Sequence, residues 1–280
     1  MTEWYSNEFY EVRSDAATGE RHEFPLPLPV SASAWSLSYL VGIYERAALE
    51  ALRLLKESIA NVTVDSLDVL QLLGVQASSA IEGCDANSAE TDALANVYAQ
   101  CHWGEALTQA GLREAHAILW MFGSNAHAQP GEYRDRPVYI VDAATGQAET
   151  VPPPAWQVPA LMTDLFEFID KSELSPLVRA AIAHQRFEAI HPFADGNGRI
   201  GRLLIDAMLV EADLLAGPYL NLSTAFYSER QRYYSHLAEV SRTGDFEQWI
   251  LWFLRMVEQA AVHSRRRLER PAAEPHPLED

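Results

Sequence analysis

Cysteine is scarce. Cys84 and Cys101 are the only two in 280 residues, and neither stands in a C-x-x-C or metal-ligand spacing. That excludes a disulfide framework and a zinc module, and two free thiols point to a reducing cytoplasm. Positive charge is also short: 21 Lys and Arg stand against 39 Asp and Glu, for a net charge of −18. Such a surface repels phosphate backbones, so no nucleic-acid partner is expected. Long apolar runs are missing as well. The most apolar stretch, Leu203 to Leu215, is interrupted by Asp206, Glu211 and Asp213, too short and too charged to cross a bilayer. The start, Met1-Thr-Glu-Trp-Tyr-Ser6, has no basic segment ahead of an apolar one, so no signal peptide is expected. No internal repeat is present. What remains, with 48% hydrophobic and 21% charged residues, is the composition of an ordinary folded domain.

The pattern along the chain is mainly helical. Residues 1–23 are polar and read as a flexible start. Phe24-Pro-Leu-Pro-Leu-Pro29 is extended, because alternating prolines cannot be helical. Apolar residues recur near period 3.6 from Trp35 through Ala48, from Ser66 to Glu82 with Gly83 as the cap, and from Ala106 to Phe122. Between Tyr133 and Pro154 the pattern changes. Val138, Ile140 and Val141 are strand formers, residues 142–146 form a turn, and Pro152-Pro-Pro154 closes a β-hairpin. Helices resume around Leu161 to Ile169. Ser175-Pro176 is an N-cap followed by proline at the first helical position, and that helix ends where His191 precedes Pro192. Another helix opens at Asn197 or Gly198, and a last one begins near Asp245. The organisation expected is a helical region over 24–104, a core over 105–262, and a flexible tail over 263–280.

The chemistry is concentrated in twelve residues, His191-Pro-Phe-Ala-Asp-Gly-Asn-Gly-Arg-Ile-Gly-Arg202. Gly196, Asn197 and Gly198 permit a tight turn at a helix N-terminus, where free amides and the positive helix end attract an anion. Arg199 and Arg202 are three apart and project from the same side of that helix, which suits a di- or triphosphate. Asp195 is a hard oxygen ligand beside the anion site, in keeping with Mg²⁺ that takes its other ligands from phosphate and water. His191 is an imidazole able to accept a proton from an attacking hydroxyl. Taken singly each residue has an ordinary explanation: a helix stop, a surface turn, a solvated arginine. Together they specify in-line attack on a phosphorus atom. The other histidines, including His102, His116, His127 and His184, join no transition-metal ligand set and read as structural or surface residues. Arg265-Arg-Arg267 reads as a solvated helix end.

These twelve residues resemble the signature of the Fic-domain family, His-x-Phe-x-Asp/Glu-Gly-Asn-Gly/Lys-Arg-x-x-Arg, with every specified position filled. The resemblance extends over roughly residues 25 to 262. It implies a Fic-type helical bundle with one β-hairpin flap at 133–154, and transfer of AMP from ATP to a hydroxyl of a target protein. It implies His191 as general base and Asp195 as the Mg²⁺ ligand. Gly196, Asn197, Gly198, Arg199, Gly201 and Arg202 would form the nucleotide site. Gly131-Glu-Tyr-Arg134 and the hairpin look like the flap along which the target lies. Ser78-Ser-Ala-Ile-Glu82-Gly83 is similar to the family's inhibitory sequence. Read alone it is a capped helix end; beside the core motif it implies that Glu82 pairs with Arg202 and misorients ATP.

Two other functions compete with adenylyl transfer. One is the reverse reaction, removal of AMP from a modified protein, with Glu82 orienting a water. The other is an ATP-binding regulatory protein with little catalysis, which would need neither the histidine nor the aspartate. The motif reads phosphates rather than the base, so another nucleotidyl group also fits it. Oligomeric state and target are not written in the sequence.

Overall fold

The computed structural model describes residues 5–6, 10–14, 21–31, 35–103, 107–121, 129–141, 148–150 and 152–269. Among these residues ten α-helices carry the fold, in chain order α1 (Tyr39–Ile59), α2 (Val64–Ile81), α3 (Ala89–Gln100), α4 (Gln109–Met121), α5 (Val158–Lys171), α6 (Pro176–Ile190), α7 (Asn197–Glu211), α8 (Leu222–Ser228), α9 (Arg230–Thr243) and α10 (Glu247–Leu268). The mainly helical class expected from the apolar periodicity is the class observed.

The two helices that hold the motif show why the chain folds as it does. α6 opens on Ser175, whose hydroxyl accepts the Val178 amide, with Pro176 at the first helical position. Its residues are buried almost all round, from Leu177 to Ile190, so it is the central helix of the bundle. It stops at His191, which takes the left-handed conformation with φ 50°, and Pro192 cannot continue it. α7 starts one short loop later and packs along α6, with Ile200, Leu203, Leu204 and Leu209 in the core. Outside this pair, α1 lies along α10, α2 packs on α8 and α3, and α4 lies against α3.

Several elements differ from the sequence reading. The helix expected from Trp35 begins at Tyr39. Trp35 is instead a buried anchor, its ring against Phe168 and Phe246 and its indole N–H donating to the Pro29 carbonyl at 3.2 Å. The apolar periodicity of the sequence does not predict α3, α8 or α9 as separate helices. α10 continues to Leu268, into the stretch read as a tail from residue 263, while 270–280 lie outside the described residues. In the stretch read as a flexible start, the backbone forms three short antiparallel strands, β1 (Tyr5–Ser6), β2 (Tyr10–Ser14) and β3 (Arg21–Pro25). In the 133–154 segment, β4 (Ile140–Val141) pairs antiparallel with β5 (Ala148–Thr150). The turn expected between them, 142–146, lies outside the described residues, as does His127. No helix among the described residues is long and apolar enough to cross a membrane.

Candidate active site

The loop from His191 to Gly196 joins α6 to α7, and three side chains fix its shape. Asn197 closes it from within: the Phe193 amide donates to Asn197 Oδ1 at 2.8 Å, and Asn197 Nδ2 donates back to the Phe193 carbonyl at 2.9 Å. Phe193 is fully buried, its ring stacked on His116 at 3.8 Å. His116 holds the loop from α4. Its Nδ1 accepts the Gly131 amide at 3.0 Å, so Nε2 carries the proton and donates to the Asp195 carbonyl, also at 3.0 Å. Burial pushes the His116 pKa down to about 4, which keeps that neutral tautomer in place.

Arg134 is the third brace, only 2% exposed. Its Nε donates to the His191 carbonyl at 2.8 Å, and Nη2 donates to the carbonyls of Pro153 and Ile190. A helix leaves its last carbonyls without partners inside the helix, and this guanidinium supplies partners and a positive charge at that end. Burial lowers the Arg134 pKa to about 10, so it remains charged at neutral pH.

His191 is thereby aimed. Its Nδ1 lies 3.3 Å from the Glu188 carbonyl, which can only accept, so the proton sits on Nδ1 and the Nε2 lone pair is open. Burial holds the His191 pKa down at about 4, leaving the ring neutral and able to accept a proton at physiological pH.

The N-terminus of α7 forms the other wall. Gly196 has φ 82°, and a Cβ there would press on Leu119 and on the Trp120 indole nitrogen, 3.0 and 3.1 Å away. Glycine is required on both counts. Asp195 Oδ1 accepts the Gly196 amide at 2.6 Å and lies 3.9 Å from Arg199 Nη2. Arg199 is 4% exposed and lies over the Trp120 ring, 5.0 Å from its centroid. A cleft of about 290 Å³ opens here, lined by Glu82, Cys84, Glu90, Trp120, Asp195, Gly196 and Arg199. Among the described residues no group of three or more His, Cys, Asp or Glu is placed to hold a metal ion by itself. The single carboxylate of Asp195, 44% exposed, fits Mg²⁺ sharing its coordination with phosphate and water, and does not fit a structural zinc.

Arg202, one turn further along α7 and 2% exposed, points to the end of α2. Its Nε donates to Ser78 Oγ at 2.9 Å, and its Nη2 donates to the Ser78 carbonyl at 2.8 Å and to Glu82 Oε1 at 2.7 Å. Glu82 caps α2, and Gly83 after it has φ 80°. A side chain at Gly198 would collide with the Glu82 carboxylate, so the contact needs that glycine. From α9 the Tyr234 hydroxyl donates to the Ile81 carbonyl at 3.1 Å and pins the end of α2 in place.

The structure therefore brings His191, Asp195, Gly196, Gly198, Arg199 and Arg202 together with Ser78 and Glu82, which are more than a hundred positions away in the chain. Two motif residues face elsewhere. The Asn197 side chain is spent on the loop. Gly201 packs into α6, where a Cβ would collide with the Glu188 carboxyl and lie 3.0 Å from the Phe187 ring. His116, Trp120 and Tyr234 also belong to the site. The sequence flagged Arg134 only as part of the flap's lead-in, and gave no sign that it clamps the end of α6.

Residues 106–209 match the Fic/DOC family model. A probable protein adenylyltransferase of Aquifex aeolicus is 34% identical over 125 residues, covering 44% of this chain and 35% of that protein. The protein adenylyltransferase Fic of Nematostella vectensis is 31% identical over 139 residues, covering 48% of this chain and 29% of that protein. The chain thus spans about a third of the length of these curated relatives. In fold, it superposes on a Fic family protein from Desulfovibrio desulfuricans with a TM-score of 0.74, at 24% identity, over 85% of this chain and 78% of that one. It also superposes on Fic-1 from C. elegans with a TM-score of 0.60, at 21% identity, over 82% and 73% of the two chains. The motif and the match across 106–209 make that stretch a Fic/DOC family domain, homologous to protein adenylyltransferases over about half of the chain.

Proposed function

We propose that the protein transfers AMP from ATP to a hydroxyl side chain of a target protein, and that Glu82 restrains this activity. The observation that carries the proposal is the ion pair between Glu82 and Arg202, 2.7 Å long, beside an open neutral histidine. Arg199 and Arg202 would hold the phosphate tail of ATP. Asp195 would hold Mg²⁺, which when bound neutralises charge on the phosphates. His191 Nε2 takes the proton from the target hydroxyl as its oxygen attacks the α-phosphorus, and pyrophosphate leaves in line. The antiparallel pair β4–β5 supplies an edge on which an extended segment of the target can add as a strand.

Glu82 restrains the reaction by occupying the guanidinium that should take the end of the triphosphate. ATP held without Arg202 presents its α-phosphorus off line, and a misplacement of about 1 Å costs on the order of a hundredfold. The test is transfer of label from α-labelled ATP onto protein. Glu82→Gly should label target in a lysate strongly, wild type weakly, and Glu82→Gly with His191→Ala not at all. Labelling that survives loss of His191 would refute the assignment of the base. Release of AMP from a pre-modified target, dependent on Glu82, would instead establish the reverse direction.

A further inference from the structure

Arg199 and Trp120 share an unusual deficit. Arg199 Nε, Arg199 Nη1 and Trp120 Nε1 are all buried and have no hydrogen-bond partner. Both side chains are more than nine-tenths buried, at 4% and 7% exposure. They are neighbours: the guanidinium lies over the indole ring at 5.0 Å, and the indole nitrogen faces the turn at Gly196 that opens α7. A buried donor without an acceptor destabilises a fold, and native proteins rarely leave one so. Three at one spot call for an acceptor that the chain itself does not supply.

The surroundings say what that acceptor is. Trp120 and Arg199 line the same cleft as Asp195 and Gly196. The donors comprise two N–H groups of a cation and one neutral N–H, beside a helix N-terminus. That set suits an anion with several oxygens in different directions. A carboxylate offers too few directions, and the nearest one, on Asp195, stays 3.9 Å from Arg199 and accepts from Gly196 instead.

We infer that Trp120 is a ligand-binding residue of this site: its indole N–H joins Arg199 Nε and Nη1 in a seat for one phosphate group of the nucleotide's polyphosphate tail. The inference rests on the nucleotide reading given above and adds to it a donor that the twelve-residue motif does not contain. Stacking alone would ask only for a flat ring under Arg199. The unpartnered N–H asks for an acceptor as well, and the two roles can be separated by substitution.

All three donor atoms are shielded from solvent, and Glu82 lines the cleft beside them, so the test uses the Glu82→Gly protein. Trp120→Phe keeps an aromatic ring and removes the N–H; 3-benzothienylalanine at position 120, with sulfur in place of the indole N–H, is the second variant should the first unfold. Binding of ATP and of inorganic tripolyphosphate is measured by calorimetry, with the thermal midpoint as a check on folding. In a variant that keeps its midpoint, both ligands should bind about tenfold to a hundredfold more weakly, as expected for loss of a hydrogen bond to a charged group. The indole N–H resonance that disappears in Trp120→Phe should also shift when tripolyphosphate is added to the parent. Unchanged affinity for both ligands in a folded variant would overturn the inference and leave Trp120 as a stacking surface. Failure of the Glu82→Gly protein itself to bind ATP would strike the nucleotide reading instead.

Discussion

Replacing Glu82 by glycine removes both the charge and the bulk that restrain Arg202, and replacing it by glutamine removes the charge alone. The contact to be lost is one charge-assisted hydrogen bond of 2.7 Å, between an arginine 2% exposed and a carboxylate 31% exposed. A hydrogen bond to a charged group contributes about 1.5–3 kcal/mol, and the partial exposure of Glu82 places this one towards the lower end. Two arrangements separated by that amount differ in population by about ten- to a hundredfold. The rate of transfer should rise by a similar factor when the carboxylate is removed. Position 82 is the C-cap of α2, with φ −83° and ψ 2°, so glycine there interrupts no helical interior. Arg202 still keeps Ser78 Oγ and the Ser78 carbonyl. The cost to the fold is then about 1 kcal/mol, a fall of about 2–4 °C in Tm. Activity and stability should move in opposite directions. The assay is the initial rate of label transfer from α-labelled ATP at matched protein and nucleotide, for wild type, Glu82→Gly and Glu82→Gln. The amide keeps the volume and loses the charge, so its rate should fall between the other two. Equal rates for wild type and Glu82→Gly, with ATP binding intact in both, would refute the mechanism. A Glu82→Gln protein as inactive as wild type would show that bulk, and not the ion pair, misplaces ATP.

Two further outcomes are expected. Arg134→Met removes the clamp on the last carbonyls of α6, so kcat in the Glu82→Gly background should fall by about tenfold or more while KM for ATP hardly changes; a matching rise in KM would mean that Arg134 serves ATP binding instead. Stability should depend on pH through two opposed sets of buried groups. His116, His184 and His191 have pKa values lowered by burial from 6.5 to about 4, 3 and 4; the unfolded chain takes up their protons first, so their contribution is complete above pH 6.5 and is lost as pH falls toward 4. Burial raises Glu188 to about 8 and Asp206 to about 7. These acids are protonated in the fold, so their contribution is present below the ordinary carboxylate range and is lost as pH rises through 7 and 8. Between the ordinary carboxylate range and pH 6.5 the two sets oppose each other, three histidines against two acids; above 6.5 only the acids act, and below the carboxylate range only the histidines. Chemical denaturation across pH should show stability rising gently from pH 4.5 to 6.5 and declining from there toward 8, with the decline reduced in Glu188→Gln. An unchanged decline in that variant would place the titration elsewhere.

The parts of the fold that could be read from sequence are those fixed by near neighbours. Ser175-Pro176 and His191-Pro192 bound α6 because caps and prolines act within a turn of where they stand. The twelve-residue motif was legible for the same reason. What could not be read depends on contacts between distant segments. Trp35 lies ahead of α1 because its ring is held by Phe168 and Phe246, and periodicity alone runs it into the helix. α8 is seven residues long, too short for a period to show. α9 carries Arg230, Arg232, Arg242 and Glu239 around a core stripe of Tyr233 and Val240, so its apolar face is thin. Within the site, His116, Trp120 and Arg134 meet the loop from 57 to 79 positions upstream. Each is unremarkable where it stands in the chain. The roles of Asn197 and Gly201 were hidden differently: both sit in the motif, and only the packing shows that one braces the loop and the other admits α6.

Arg202 answers to Ser78 and Glu82 in one arrangement and, on the proposed mechanism, to ATP in the other. In genetic terms that makes it the locus where two phenotypes meet. Lesions that release the enzyme should cluster at the end of α2, and lesions that silence it should cluster in α7 and the loop before it. A release mutation cannot rescue a lost Arg202, because the residue being released is the one that is gone. On that mechanism the restraint cannot be discarded by mutating its anchor without losing the activity it restrains, and selection on either property bears on the same side chain.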